Sequence, residues 1–268
     1  MKPKVCIFCQ ASSHSSVSRE HIVPESLGNR KIQLPRGVVC DKCNNYFSRK
    51  IEDPILNSLL FSQERFTHSI PNKEGRIPPS QGLLSPLGIP VSIERHPGNW
   101  QSIYATRDSD NDRFVRHLMN SKTNTAYFPI ATDISNTRLM ARMLGKMGLE
   151  ALALRAIEAG IGIEEITHKE ELNELREFVR YDRGPKHWPY HERRIYPAGF
   201  VFTSGAEAYE VLHEFTLLYT NEHELFFIFA NLGVEYVLNL GGPSIEGYSD
   251  WLNKNSNRSP LYDSAMPE

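Results

Sequence analysis

No cysteine follows residue 43 in this 268-residue chain, and all four lie at or before that position. A disulfide framework spread through the body of the protein is therefore excluded. Long apolar runs are also missing, and none approaches the ~18 residues of a membrane span. The first residues, Met1-Lys2-Pro3-Lys4-Val5-Cys6, lack the apolar core of a signal peptide, so the expected location is cytoplasmic. No internal repeat or low-complexity tract is present, which sets aside solenoids and disordered scaffolds. Strong net charge is absent as well, at -2 overall, and hydrophobic residues make up 40% of the chain. That composition is ordinary for a globular protein of one large domain or two modest ones.

The small net charge hides an asymmetry. Residues 1–50 contain nine Lys or Arg against three Asp or Glu, whereas the rest of the chain is acidic. A basic segment on an acidic body fits a local contact with a polyanion. The same segment holds all four cysteines as two Cys-x-x-Cys pairs, Cys6/Cys9 and Cys40/Cys43. Within each pair, one tight turn can point both sulfurs at the same ion. Four thiolates so arranged suit one tetrahedral, structural zinc.

The expected organisation is α+β. Residues 1–66 form an N-terminal module and 67–268 an accessory domain, joined by a Pro- and Gly-rich connection over 67–100 with one or two short strands such as 91–94. A helix is expected over 51–66, starting as early as Cys43 or Asn44 and bending near Pro54. The clearest helix lies over 136–159, where Leu139, Met143, Leu144 and Met147 form an apolar face and Ser135 is placed to cap it. A second runs over 169–181, with Thr167 as its cap. Strands follow at 200–203, 211–219, 225–230 and 236–240, broken by turn residues at 221–223 and 231–233. This pattern reads as an antiparallel meander, with Phe226, Phe227 and Phe229 in its core or at an edge against a partner. A short helix over 245–252 and a loose polar tail from Asn253 complete the expectation.

Between the cysteine pairs stands Glu20-His21-Ile22-Val23-Pro24-Glu25-Ser26-Leu27-Gly28, and the second pair runs directly into Asn44. Together these motifs resemble the zinc-containing, four-cysteine branch of the HNH endonucleases. The resemblance covers about 45 residues by this motif alignment and is carried by the combination, not by any one part. It implies a ββα-metal, treble-clef-like module that hydrolyses phosphodiester bonds, with DNA as the first expectation. It also implies that Glu20 binds a catalytic divalent metal, that His21 activates water as general base, and that Asn44 is the other metal ligand.

Elementary chemistry agrees with these roles. Phosphodiester hydrolysis needs a nucleophile, neutralisation of developing charge and help for the leaving oxygen. An imidazole ordinarily titrates near neutrality and so can take a proton from water. Glu and Asn leave most of a coordination shell to water and phosphate oxygens, which suits a hard ion, Mg²⁺ or Mn²⁺. Adjacent strand residues point to opposite faces, so bringing Glu20 and His21 to one cleft requires a twist or strand end.

The sequence departs from the family at one place. The middle Asn, expected nine residues before the last metal ligand, is Pro35 here. Pinning of the loop then falls to the backbone or to another residue, Asn29. Candidate phosphate contacts are Arg19, Arg30, Lys31, Arg36, Lys42, Arg49 and Lys50. His14 is expected as a solvated loop residue, Asn45 as an alternative to Asn44, and Glu52 as an exposed helix carboxylate. The set Arg176, Arg180, Tyr181, Arg183, Lys186, His187 and Trp188 mixes charge and rings as single-strand grips do, and equally suits a polar helix end. The expected partner is nucleic acid, with a homodimer or partner protein docking on the accessory domain. By analogy of architecture alone, such a pairing fits an anti-phage or mobile-element system. A non-catalytic zinc module that binds nucleic acid or protein is the competing expectation.

Overall fold

The protein is described from a computed structural model that covers residues 5–262 apart from 97, 99 and 206. In chain order the helices and strands are α1 (Asp41–Phe47), α2 (Asp53–Leu56), α3 (Leu59–Thr67), β1 (Ser80–Ser85), β2 (Ile89–Arg95), β3 (Gln101–Ala105), α4 (Asn111–Asn120), β4 (Thr125–Tyr127), α5 (Thr137–Glu158), α6 (Ile163–Thr167), α7 (Asn173–Tyr181), β5 (Tyr190–Arg194), β6 (Phe202–Ser204), β7 (Glu207–Tyr209), β8 (His213–Tyr219), β9 (Leu225–Asn231), β10 (Val234–Asn239) and α8 (Glu246–Lys254). The expected α+β class with an N-terminal zinc-type module is what the chain adopts.

Two compact units divide the chain: Met1–Pro54 with Asn136–Glu268, and Ile55–Ser135. This partition differs from the expected cut at residue 66. The reason is physical: the N-terminal module shares its packing with helices α5 and α7 of the later chain. The second unit is a four-stranded antiparallel sheet, ordered β3-β2-β1-β4, with α4 against it. Its core is Leu84, Ile89, Val91, Ala105 and Phe114. Residues 80–95, expected as part of a connection, are therefore the first hairpin of a folded sheet.

In the first unit, α5 is the central helix. Every residue from Met140 to Ala151 is buried, as befits a helix packed on several sides. Two glycines make the close approaches possible. A Cβ on Gly145 would meet Val179 of α7 at 2.7 Å, and one on Gly148 would meet Leu240 at 2.6 Å. The sheet that α5 covers is ordered β5-β10-β9-β8, all antiparallel, with α8 packed on Phe226, Ile228 and Val237. Phe226, Phe227 and Phe229 are fully buried in it, as expected.

Several local expectations are corrected. Asn136, not Ser135, caps α5, accepting from the Leu139 amide at 2.9 Å. Thr167 is no cap; it ends α6, and its hydroxyl donates back to the Ile163 carbonyl. Strand β5 occupies residues to which the sequence pattern assigned no element. The tail from Asn253 is anchored at Ser259, which is buried and donates to Glu235. Residues 263–268 of that tail, like Pro97, lie outside the described residues. The helix expected over 51–66 begins at Asp41, turns π-helical over Ser48–Glu52, and breaks before α3. Pro54 explains the wide turn, since it lacks an amide hydrogen and its ring crowds the carbonyl four residues back. No helix among the described residues is long and apolar enough to cross a membrane.

Candidate functional site

The zinc-type centre is built from two turns. Val5 and Ser12 bridge in antiparallel fashion, closing the knuckle that carries Cys6 and Cys9. Cys40 is the N-cap of α1, and Cys43 lies in its first turn. The four sulfurs lie within 4.8 Å of one another, with Cys9 and Cys40 at 3.6 Å. A tetrahedral ion with Zn–S bonds of ~2.3 Å requires sulfurs about 3.8 Å apart, so the donor set fits zinc. Hydrogen bonds hold the sulfurs from outside. The Cys40 amide donates to Cys6 Sγ and the Cys43 amide to Cys40 Sγ, each at 3.4 Å. Arg180 Nε donates to Cys43 Sγ at 3.1 Å. Hydrogen bonding from Cys43 lowers the Cys6 thiol to about 5, whereas burial raises Cys40 to about 11.

Arg176 and Arg180 therefore belong to the zinc centre. Both are buried, and Arg176 Nε donates to the Ile7 carbonyl within the knuckle. Arg180 also stacks on Tyr46, 4.1 Å from the ring centre. Trp188 is buried too and donates to the Asn239 carbonyl. Of the basic–aromatic set, Tyr181, Arg183, Lys186 and His187 remain exposed. The idea that the whole set grips a strand fails on this burial.

The segment before the helix folds as a short antiparallel pair. Leu34 donates to the Glu20 carbonyl at 2.8 Å, and His21 bridges Gln33. Asn29 pins the intervening loop. Its amide donates to the carbonyls of Val23 and Ile32, and its Oδ1 accepts from the amides of Lys31 and Ile32. Asn29 is buried at 2% exposure, and its carbonyl lies 3.2 Å from His21 Nδ1. The work expected at Pro35 is thus carried by Asn29. With Nδ1–H donating to that carbonyl, Nε2 holds the lone pair, and the Gln33 amide sits on it at 2.7 Å.

Glu20 and His21 point differently, as neighbours on a strand must. The His21 ring is half-buried, whereas Glu20 is 6% exposed and turns inward. There Glu20 Oε1 meets Lys146 Nζ of α5 at 2.6 Å. The same ammonium lies 2.6 Å from Glu52 and 3.1 Å from Glu150, and donates to the His21 carbonyl at 3.2 Å. Glu52 Oε1 and Glu150 Oε2 lie off the hydrogen-bonding directions, so those contacts are ionic only. Burial raises Glu20 above the ordinary carboxylate range and raises Glu150 well above it. Burial opposes the charge on Lys146, yet Glu150, Glu20 and Glu52 together hold its pKa well above the usual value. The exposed Glu52 expected from the sequence is instead tucked under α5, because the π-turn carries it there.

Asn44 lies beside this segment, its amide donating to the Arg19 carbonyl at 3.4 Å. Among the described residues, no hydrogen bond joins the side chains of Glu20, His21 and Asn44 to one another. They are gathered instead through the backbone at Arg19 and His21. Glu20 Oε2 is buried and has no partner. An orphaned carboxylate oxygen is a donor of the kind that a hard divalent cation takes. His14 and Asn45 are exposed, and so are Arg19, Arg30, Lys31, Arg36, Lys42, Arg49 and Lys50.

Sequence reasoning missed Lys146 and Glu150. A signal existed: Arg142, Lys146 and Glu150 recur every four residues in an otherwise apolar run, which places them on one helix face. Arg142 donates to the Tyr46 hydroxyl on the same side.

Residues 6–60 match the HNH endonuclease family. That span takes in the cysteine tetrad, Glu20, His21, Asn44 and Glu52, so the chain carries an N-terminal HNH endonuclease domain. No curated protein and no solved structure matches the chain.

Proposed function

We propose that the protein is a metal-dependent endonuclease that hydrolyses phosphodiester bonds in DNA. The observation that carries this reading is the Glu20–His21 pair set beside Asn44 and a four-cysteine centre within an HNH span. Cys6, Cys9, Cys40 and Cys43 hold a structural zinc. Glu20 and Asn44 would hold a second cation, Mg²⁺ or Mn²⁺, which neutralises charge on the scissile phosphate when bound. His21 Nε2 takes a proton from the attacking water as its oxygen bonds to phosphorus and the leaving P–O bond breaks. For this, the Gln33 amide must yield its place on Nε2 to water. The Asn29 carbonyl, accepting from Nδ1, keeps the ring in the tautomer that this requires. The seven exposed basic residues supply phosphate contacts, each adding about 0.9 to the slope of log affinity against log salt.

The test is cleavage of supercoiled plasmid with Mg²⁺ or Mn²⁺. General-base contributions run to ~10²–10⁴-fold, so His21→Ala should lower the nicking rate at least ~100-fold. Equal nicking by wild type and His21→Ala across metals removes the enzymatic reading. One observation favours a second reading, a non-catalytic zinc module that binds nucleic acid: Glu20 is turned inward onto Lys146. Under that reading, DNA binding survives His21→Ala with no cleavage by either protein, and is lost in Cys43→Ser.

A further inference from the structure

Lys146 touches both residues of the proposed pair. Its Nζ meets the Glu20 carboxylate at 2.6 Å and donates to the His21 carbonyl at 3.2 Å. It is wholly buried on a helix that has no room to retreat, because Gly145 and Gly148 on either side of it already press against Val179 and Leu240. Nothing about burying a lysine requires this aim. A core counter-ion needs only a carboxylate, and Glu150, one turn along the same helix, supplies one. The ammonium instead spans from α5 to Glu52 at the end of the π-turn and to both residues of the pair.

We propose that Lys146 is a positioning residue for the nuclease site. It locks Glu20 Oε1, leaves Oε2 as the carboxylate atom that would hold the divalent cation, and fixes the backbone from which the His21 imidazole hangs. This inference rests on the nuclease reading above. The structure supports it in two ways. Glu20 Oε2 is buried without a hydrogen-bond partner, as are Glu52 Oε1 and both carboxylate oxygens of Glu150, and of these only Glu20 belongs to the Glu20–His21 pair. The lysine head group is also compact, with three donors that can serve oxygens on different sides. A guanidinium is planar and larger and cannot place one nitrogen among the same four oxygens.

The experiment uses the full chain with its zinc, as wild type, Lys146→Met and Lys146→Arg. Mn²⁺ binding is followed by calorimetry, ring ¹⁵N shifts of His21 by NMR, and plasmid nicking by kcat and KM. Lys146→Met is expected to weaken Mn²⁺ binding at least tenfold, move the His21 shifts and lower kcat, with KM for DNA held within threefold. Lys146→Arg is expected to weaken Mn²⁺ binding at least threefold. Either variant that keeps one zinc and wild-type helicity, yet binds Mn²⁺ within twofold of wild type with unmoved His21 shifts, overturns the proposal. Loss of folding in both overturns it too, since Lys146 then serves the core alone. A wild type that neither binds Mn²⁺ nor nicks DNA removes the nuclease reading itself, a result separate from unchanged variants in an active enzyme.

Discussion

The cysteine tetrad and the carboxylate–lysine cluster draw on the same stretches of chain and solve a similar problem differently. Each gathers groups of one sign from the residues around 6–21 and from the helical segment 40–52. The tetrad is complete within those stretches and takes its cation from solution. The cluster receives a cation already bonded to the chain, from Lys146 on α5. Four thiolates around zinc form a closed, short-ranged shell, whereas three carboxylates sharing one ammonium leave several oxygens unsatisfied. The difference teaches that the first centre serves as a staple, and that the second retains unspent binding capacity beside the proposed catalytic pair.

The comparison can be broken most forcefully at the staple. Chelation of zinc, or Cys43→Ser, should remove a coupling on the order of 10 kcal/mol, the scale of structural zinc in small domains. Hydrogen exchange should then lose protection over 5–52 while the sheet β3-β2-β1-β4 keeps it. Protection that persists over 20–52 would show that the lysine cluster holds the module alone. Next in size is Asn29→Ala, which removes four hydrogen bonds from a buried loop. At ~1 kcal/mol each and short of additivity, urea unfolding should report a loss of about 3 kcal/mol. A loss under ~0.5 kcal/mol would mean that the backbone pins the loop unaided.

The smallest effect sharpens the cluster itself. Glu150 has its pKa raised well above the ordinary carboxylate range by burial, so it keeps its proton after the unfolded chain has lost its own. The folded state then binds more protons, and this contribution to stability is full below the unfolded pKa and fades as pH rises toward the folded one. Glu150→Gln should flatten that decline in a pH series of thermal melts. A decline that is unchanged in the variant would assign it to another group.

The tetrad was legible because its spacings are short and four cysteines are rare together, whereas Glu20-His21 and Asn44 were singled out by motif. Helix α5 and strands β8 to β10 were legible through apolar periodicity. Lys146 was not, because Glu20 and Glu52 lie more than ninety positions away in sequence, and the recurrence of Arg142, Lys146 and Glu150 marks a helix face without saying what meets it. Unit 2 was misread because β1, Ser-Gln-Gly-Leu-Leu-Ser, has no clean alternation, and nearby prolines suggest a linker. The burial of Arg176 and Arg180 was hidden for another reason. Arginines beside tyrosines read as surface until a carbonyl and a thiolate are seen waiting for them.

The interruption of the first unit by residues 55–135 also orders events in time. A ribosome adding roughly 5–20 residues per second delivers Glu20 and Glu52 some 5–20 seconds ahead of Lys146. During that interval the sulfurs can already capture their metal, so the nascent segment is tethered at one end while its acidic groups remain hydrated. Arrival of α5 then dehydrates them in a single docking event. Maturation of the proposed site is thereby coupled to synthesis of a helix that lies beyond an entire intervening sheet.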